Sequence, residues 1–525
     1  MNWKSILRFK SIGVILVLAL VVMVPVGYVA ATENHFGHFI IDPILTDAGY
    51  VSGTTTDSVY TKGETFYPKD SPYYRTYEAM LGEIGHKVRI YRGIPYAAPP
   101  VGSLRWKPPQ PVTPWQNIRE CTKFCPMAPQ SYPATPVYDS IPLEGMSEDV
   151  LYLNIQTPAK HANERLPVMV LFHGGGLTIG SVNRISDNCP PLPQHGVVSV
   201  TVQHRIGVFG YMAHPALTAE SGYSGSGNYG QMDLIAALKW VKRNIAAFGG
   251  DPHNVTIWGH SGGGAKTNFL LASPQAKGLF HRAICEAGFS TSATPLATAE
   301  GYGLALQAKL GAANLAEMRA KPWKEILDAV LFAPLVYSSG FTVDNYYMPD
   351  TIKNIFTAGL HSDVPYMVGM GGAEITPTGT PAMGALLKTM STKQKSPIYT
   401  YVFTHVPENW ANGGVYAYHG LEVSYQYGVV DTVMRMYGVL FTPGPNVPVE
   451  PGINQEDYWL QDAVMTMWAN FAATGDPTPK HWPFRSRLIN WDWPKYGASD
   501  QFLDIGVPPL VSTGFSTLTT KLPPR

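Results

Sequence analysis

The sequence predicts an α/β fold, in which a large, mostly parallel central sheet is flanked by helices and carries long loop insertions. Two observations support this prediction. Apolar runs of strand length alternate along the chain with helical segments, as they do when helices connect parallel strands. The run at 166–172 is almost continuously apolar, which is typical of a strand buried on both faces of a sheet.

The predicted elements follow one another in a regular order. Strands are expected at 88–96, 151–155, 166–172, 197–202, 254–258, 281–285 and 364–369, and helices at 232–247 and 264–271. The stretch 248–252 places Gly, Asp and Pro between a helix and the next strand, where it marks a turn. This order predicts one sheet that is covered on both faces.

Length and composition limit the possible functions. The chain has 525 residues, of which 45% are hydrophobic and 14% charged, and its net charge is zero. No low-complexity linker, charge block or repeat divides it, so we expect 32–525 to form a single domain with a large core. Because the sequence has no basic stripe, zinc-type Cys/His spacing or phosphate-binding glycine loop, we expect no nucleic acid partner, metal or other cofactor.

The first 31 residues have the pattern of a signal peptide. The basic residues Lys4, Arg8 and Lys10 precede an uncharged run at 11–32, which contains small residues before a predicted cleavage after Ala31. The chain is therefore expected to be exported, either secreted or periplasmic. The alternative is an uncleaved membrane anchor, because the apolar run is long enough to span a bilayer.

Export permits disulfides, but the cysteines do not define a pairing. The chain has four of them: Cys121, Cys125, Cys189 and Cys285. Cys285 lies in an apolar segment and is expected to be buried as a small hydrophobic residue.

The stretch 259–263 reads G-x-S-x-G and lies between a predicted strand and a predicted helix. In this context the serine stands on a strained turn at the edge of the sheet with its hydroxyl exposed. Glycine is needed on both sides, because a Cβ would clash with the tight turn. Ser261 is therefore the candidate nucleophile.

A second glycine-rich stretch follows the apolar strand at 166–172. It reads His-Gly-Gly-Gly at 173–176, and successive backbone amides in such a loop can face a developing oxyanion. We expect Gly175 and Gly176 to supply two donors and Gly262, directly after the serine, to supply a third.

A serine nucleophile needs a histidine base, and the histidine needs an orienting carboxylate. The downstream candidates for the base are His281, His361, His405, His419 and His481. Among these, His419 lies in a glycine-flanked loop. Glu374 follows the predicted strand at 364–369 and is the candidate acid, with Asp344 and Asp350 as rivals on spacing alone.

Several ordered blocks of the sequence together resemble the type-B carboxylesterases, which include the cholinesterases, bile-salt lipases and para-nitrobenzyl esterases. The resemblance extends from about Val88 almost to the C-terminus, and its blocks lie at 92–102 with 104–105, 147–154, 227–230 with 233, 248–252, 259–263, 468–472 and 474–477. It implies the α/β-hydrolase fold and a serine carboxylesterase that needs no cofactor.

The resemblance also implies roles for individual residues. Ser261 falls on the nucleophile, Glu374 on the acid and His419 on the base of the family's H-G-x-E pattern, with Gly175, Gly176 and Gly262 on the oxyanion donors. The usual Asp-Glu-Gly around the acid reads Ala-Glu-Ile here. The same comparison implies two buried ion pairs, Arg105 with Glu148 and Arg205 with Asp233.

Departures from the family pattern bear on the substrate. His260 stands where cholinesterases carry Glu, Gly262 replaces the usual Ala, and the loop at 129–147 has no Trp for a choline platform. Ala128 and Val150 occupy both positions of the family's first disulfide. The changed residue at 260 and the missing Trp make a choline ester a poor candidate, so we expect the small-molecule substrate to be an uncharged carboxylic ester.

Two alternatives stay open at this point. A lipase acting on longer-chain esters would need an apolar lid, for which 131–146 is a weakly hydrophobic candidate. A non-catalytic adhesion or binding protein on the same fold is the alternative from a different class, since a fold does not prove a function.

Overall fold

The computed structural model describes residues 42–55, 88–131, 145–183, 191–331, 340–430, 447–478 and 492–525. All of them belong to one unit, Ile40–Arg525. The predicted signal segment, Cys189, His481 and nearly all of the candidate lid lie outside the described residues. Within the described ranges, no helix is long and apolar enough to cross a membrane.

The strands of the described residues form one large sheet and two small ones. Their bounds are β1 Ile44–Leu45, β2 Tyr50–Ser52, β3 Thr54–Thr55, β4 Arg89–Pro95, β5 Arg119–Glu120, β6 Tyr152–Thr157, β7 Leu166–Phe172, β8 Val198–Val202, β9 Gly250–His260, β10 Arg282–Glu286, β11 Thr294–Pro295, β12 Thr342–Val343, β13 Tyr366–Gly371, β14 Ile398–Phe403, β15 Gln501–Ile505 and β16 Leu510–Thr513. The large sheet has the order β16-β15-β14-β13-β10-β9-β7-β8-β6-β4-β3.

The centre of this sheet is parallel and its two edges are antiparallel. The neighbours from β8 through β7, β9, β10, β13 and β14 to β15 pair in parallel. The pairs β3–β4, β4–β6, β6–β8 and β15–β16 are antiparallel. The expectation of a mostly parallel sheet is confirmed for the centre, where the carboxyl ends of β7, β9 and β13 meet at one edge.

The helices cover both faces of the sheet. Their bounds are α1 Gly207–Tyr211, α2 Pro215–Glu220, α3 Tyr229–Asn244, α4 Gly262–Ala272, α5 Leu296–Lys309, α6 Leu315–Ala320, α7 Trp323–Leu331, α8 Ile352–Ala358, α9 Gly379–Lys393, α10 Glu408–Asn412, α11 Val423–Gln426 and α12 Gln455–Thr474. Short 3₁₀ turns occur at Gly102–Leu104, Ala162–Glu164, Leu192–His195, Ile245–Phe248, Pro274–Ala276, Gly372–Glu374 and Phe515–Thr517.

Strand β7 shows why its sequence is apolar throughout. Val168 and Val170 pack into the core on one face of the sheet, whereas Met169 and Leu171 pack into a second core on the other face. Alternate side chains of a strand point to opposite faces, so burial on both faces requires a continuous apolar run.

The two ion pairs implied by the family resemblance are present and buried. Arg105 binds Glu148 through two bonds of 2.6 and 2.5 Å, and Arg205 binds Asp233 through two bonds of 2.8 and 2.7 Å. Planar guanidinium and carboxylate groups match in this bidentate geometry. These pairs hold loops beside the sheet, and breaking one would leave a buried charge without its partner.

Candidate active site

Ser261 lies at the turn between β9 and α4. Its backbone has φ 57° and ψ −120°, a strained conformation for a residue with a side chain, and its amide donates to the Glu286 carbonyl at 2.7 Å. A Cβ built at Gly259 or Gly263 would lie 2.4 or 2.0 Å from the carbonyl oxygen of Phe172. The close approach of β7 therefore explains why the motif needs both glycines.

His419 lies in the loop between α10 and α11, at the same edge of the sheet. Its Nε2 is 2.8 Å from Ser261 Oγ, within hydrogen-bond distance. The side chain is 45% exposed, so the ring can exchange protons with groups that enter from solvent. This geometry suits a base that takes the proton of the serine hydroxyl.

Glu374 ends the 3₁₀ turn that follows β13. One carboxylate oxygen lies 2.6 Å from His419 Nδ1, and the other accepts the amide of Gly371 at 2.8 Å. The hydrogen bond to Glu374 raises the pKa of His419 above its ordinary value, against the opposing effect of partial burial. The second bond fixes the carboxylate to its own strand end, and so fixes the plane of the imidazole.

The rival acids have other partners. Asp344 is buried and accepts the amides of residues 346–348 as well as the side chain of Asn228. Asp350 is exposed and caps the start of α8 through the amide of Thr351 and the side chain of Asn354. Both carboxylates have local structural roles, and neither contacts His419.

The other described histidine candidates also bind groups away from Ser261. His281 accepts the amide of Val255, His361 bonds to Gln394, and His405 bonds to Asp457. The structure therefore brings together the three residues that the sequence favoured, Ser261, His419 and Glu374.

The glycine loop at 173–176 packs directly against the serine turn. A Cβ built at Gly262 would lie 2.1 Å from the oxygen and 2.5 Å from the nitrogen of Gly176. Gly175 and Gly176 have φ of 88° and 61°, which favours glycine. The backbone at Gly176 and the first residue of α4 thus lie side by side beside Ser261, where oxyanion donors are expected.

Behind the serine lies a layer of buried polar side chains whose contacts the sequence did not predict. His260 Nε2 lies 3.4 Å from Glu422 Oε1, and the Glu422 side chain is fully buried. Glu286, at the end of β10, accepts the indole N–H of Trp468 at 2.5 Å. Burial raises the pKa of Glu286 from its ordinary 4.5 to about 8.

A signal for this layer was present in the sequence. Glu286 is an acid at the end of an otherwise apolar strand, and His260 is a titratable residue next to the nucleophile. In the sequence, His260 is recognisable only as a departure from the family pattern that bears on the substrate. Its packing partner, Glu422, is distant in sequence and becomes apparent only in the fold.

A cleft of about 670 Å³ borders Glu374 and the segment after β10. Its lining combines apolar side chains, including Phe289, Met383 and Leu386, with threonine hydroxyls and Lys353. Among the described lining residues, Glu374 is the carboxylate, and it is already bonded to His419. No group of three or more potential metal ligands occurs in the described part of the chain.

Comparisons with known proteins agree with this geometry. A model described as the carboxylesterase family matches residues 77–383 and 380–520. The chain is similar to Carboxylesterase 1F of Mus musculus, with 31% identity over 498 residues covering 80% of this chain and 86% of the relative. It is similar to the fumonisin B1 esterase of Sphingopyxis macrogoltabida, with 31% identity over 459 residues covering 75% of this chain and 81% of that protein.

Solved structures show the same likeness. A PNB esterase superposes with a TM-score of 0.70 at 25% identity, covering 91% of this chain and 97% of the other. A carboxylesterase of Geobacillus stearothermophilus superposes with a TM-score of 0.68 at 25% identity, covering 89% and 97%. Similarity of this extent covers most of the chain.

Proposed function

This chain belongs to the carboxylesterase family and is a carboxylic ester hydrolase, and on that premise we propose that it cleaves uncharged carboxylic esters through an acyl-enzyme on Ser261. The observation that supports this proposal best is the continuous chain of short contacts from Ser261 Oγ through His419 to Glu374, at 2.8 and 2.6 Å. His419 is the proposed base, and Glu374 the proposed acid that orients it.

The proposed reaction has two halves. Ser261 Oγ attacks the ester carbonyl carbon while His419 Nε2 takes the serine proton, and the C–O bond to the alcohol then breaks as His419 returns that proton to the leaving oxygen. Water then attacks the acyl-enzyme with the same base, releasing the acid and regenerating the serine. Glu374 keeps Nδ1 protonated and stabilises the imidazolium in both halves.

The negative oxygen of each tetrahedral intermediate needs fixed donors. The amides of Gly175, Gly176 and Gly262 are the proposed donors, because the loop at 173–176 and the first turn of α4 meet beside Ser261. Removing one such donor in an esterase-type site costs about 3 kcal/mol of transition-state stabilisation.

The lining of the cleft beside Glu374 argues against a cationic substrate. The cleft beside Glu374 combines apolar side chains and hydroxyls, and its described carboxylate is engaged by His419. A cationic alcohol such as choline would find no free anion in this lining. The names of the relatives, carboxylesterase and fumonisin B1 esterase, do not agree on one ester, so the acyl preference needs direct measurement.

We also propose that residues 1–31 direct the chain out of the cytoplasm, on the strength of the basic start, the apolar run and the small residues before 32. N-terminal sequencing of the exported protein tests this proposal. A mature chain that begins at Thr32 supports cleavage, whereas a membrane-bound chain that retains its first residues would identify an anchor.

Covalent labelling tests the nucleophile. A fluorophosphonate probe should modify the folded protein once, on the peptide that contains Ser261, and Ser261→Ala should abolish the label. Ser290→Ala is the matched control, since it removes a hydroxyl from the nearby loop after β10 and should leave labelling intact. Folded, ester-hydrolysing protein that does not label at Ser261 would contradict the proposal.

A series of aryl esters with increasing acyl length separates esterase from lipase. We expect kcat/KM to be highest for short and medium acyl chains and to fall for long ones. A maximum at long chains, or a strong increase when substrate forms an emulsion, would favour a lipase instead.

A further inference from the structure

The site contains a second histidine–glutamate pair. The outer pair is His419–Glu374, described above, and the inner pair is His260–Glu422. The two imidazole rings lie against each other, with centroids 4.6 Å apart and planes inclined by 44°. His260 Nε2 lies 3.4 Å from Glu422 Oε1, and the inner pair is almost completely buried, with side-chain exposures of 12% and 0%.

We propose that the inner pair is a buried imidazolium–carboxylate pair that positions His419 and balances the charge beside its ring. The proposal rests on the proposed function, because it assigns a role toward His419 as the base. His260 and Glu422 are positioning residues in this account, since neither side chain contacts the nucleophile hydroxyl.

The 3.4 Å approach of His260 to Glu422, rather than burial, supports charge on both members of the inner pair. A fully buried carboxylate without a counter-charge is costly, and a neutral partner would not offset that cost. Within the described residues, neither oxygen of Glu422 accepts a well-aligned hydrogen bond, so His260 is its nearest compensating group. Burial opposes ionisation of Glu422, yet the charge of His260 holds its pKa below the ordinary value.

The connectivity of the inner pair makes it suitable for positioning. His260 is the residue directly before Ser261, at the end of β9, and Glu422 lies three residues after His419, directly before α11. The inner pair therefore joins the segment that carries the nucleophile to the segment that carries the base. It does so independently of the bond between Ser261 and His419.

Other titratable groups around the inner pair come from three neighbouring strands. Glu286 at the end of β10 faces Glu422, but its pKa of about 8 leaves it neutral at neutral pH. Tyr401 on β14 lies near both acids, and burial raises its pKa well above the ordinary value, so it is also neutral. Glu374, after β13, is bonded to His419.

Opposite charges on the inner pair cancel at the neighbouring ring of His419. Removing one member would leave the other charge uncompensated at short range in a poorly hydrated layer. An extra negative charge would favour protonated His419, and an extra positive charge would disfavour it. If His260 and Glu422 had only a structural role, removing one or the other would not be expected to shift the pKa of His419 in opposite directions.

The test measures kcat/KM for an aryl ester against pH in the full-length enzyme and its variants. The acid limb of this profile reports protonation of the free base. We expect His260→Gln to move that limb to higher pH and Glu422→Gln to move it to lower pH, each by at least about half a pH unit. The double variant should return to within about 0.3 units of the unsubstituted enzyme, because its charges balance again.

Limbs that coincide in all variants, or shift in the same direction, would overturn the proposal. Should Glu422→Gln fail to fold, His260→Gln decides alone: a limb at the original pH contradicts the proposal. Fluorophosphonate labelling of each variant shows whether Ser261 remains reactive. An unsubstituted enzyme that hydrolyses the ester without labelling at Ser261 would instead contradict the proposed function, so the two failures are distinguishable.

Discussion

The outer and inner histidine–glutamate pairs lie side by side but differ in almost every physical respect. In the outer pair, His419 and Glu374 are 45% and 20% exposed and joined by a 2.6 Å bond. In the inner pair, His260 and Glu422 are 12% and 0% exposed and separated by 3.4 Å. One pair can exchange protons with a bound substrate, and the other is enclosed.

This difference shows how the H-G-x-E segment at 419–422 can serve two purposes. His419 and Glu422 are three residues apart, yet the turn between them places the histidine at the surface and the glutamate in the interior. The exposed member is available for proton transfer. The buried member provides the charge of the inner pair, because the neighbouring His260 holds the pKa of Glu422 below its ordinary value despite burial.

The largest effect should follow from breaking the outer pair. Glu374→Gln keeps the size of the side chain but removes the charge that orients and stabilises the His419 imidazolium. We expect kcat to fall by about 10⁴-fold, the loss typical of such a substitution in a serine triad. Asp350→Asn is the matched control and should leave kcat unchanged. A nearly normal rate for Glu374→Gln would assign the acid to another residue.

Stability should respond most strongly to a buried ion pair away from the site. Asp233→Asn leaves the guanidinium of Arg205, which is 3% exposed, without its counter-charge. We expect the free energy of unfolding to fall by about 3–5 kcal/mol in denaturant titration. The control is Asp251→Asn, whose partner Arg165 is 61% exposed, and it should change stability far less. Equal losses of unfolding free energy in the two variants would mean that burial does not determine how much these ion pairs contribute to stability.

The loop at 173–176 packs closely against Gly262, so adding a methyl group at Gly262 should lower the catalytic rate. Gly262→Ala would place a methyl group 2.1 Å from the oxygen of Gly176, so the loop must move away from the serine turn. Although Ala is usual at this position in the family pattern, the loop of this chain leaves no room for the methyl group, so we expect kcat to fall by about 10²-fold, as when an oxyanion donor is lost. Gly301→Ala, which adds a methyl into open space in α5, is the control. Activity within about threefold of normal for Gly262→Ala would show that the loop retreats without losing its donors.

The smallest expected effect concerns Glu286, the neutral acid behind the inner pair. Its folded-state pKa of about 8 lies above the ordinary 4.5, so the folded protein holds a proton that the unfolded chain loses. The stability this group contributes is full below pH 4.5 and lost as pH rises through 8. Between about pH 5 and about pH 6.5 the unsubstituted protein should therefore lose about 2 kcal/mol of stability that Glu286→Gln keeps. An equal change in the free energy of unfolding between the two pH values for Glu286→Gln and the unsubstituted protein, measured by urea titration, would contradict this.

Much of the fold and of the outer pair could be predicted because their signals are local or shared with a family. The apolar run of β7 reflects burial on both faces, and the glycines around Ser261 reflect the approach of Phe172. The choice of Glu374 over Asp344 and Asp350 needed the family resemblance. The structure supplies its reason: Glu374 ends a turn at the edge where His419 lies.

The antiparallel edge formed by β3, β4 and β6, and the inner pair, were beyond prediction for a common physical reason. Both depend on pairings between segments far apart in sequence, and neither leaves a periodic pattern. His260 and Glu422 are 162 positions apart (422 minus 260), and only the meeting of β9 with the loop after α10 brings them together. A buried ion pair is predictable from the sequence when its partners are neighbours in the chain or match a family pattern, as Arg105 and Glu148 do, and the inner pair meets neither condition.

The proposed mechanism requires a covalent intermediate at Ser261. Rapid mixing with an activated aryl ester at pH 7, followed by acid quench and mass spectrometry, measures it. We expect one acyl group per enzyme molecule within the first turnover, on the peptide containing Ser261, and none in Ser261→Ala. Ester hydrolysis with no acylated peptide, or with the acyl group on another residue, would contradict the account.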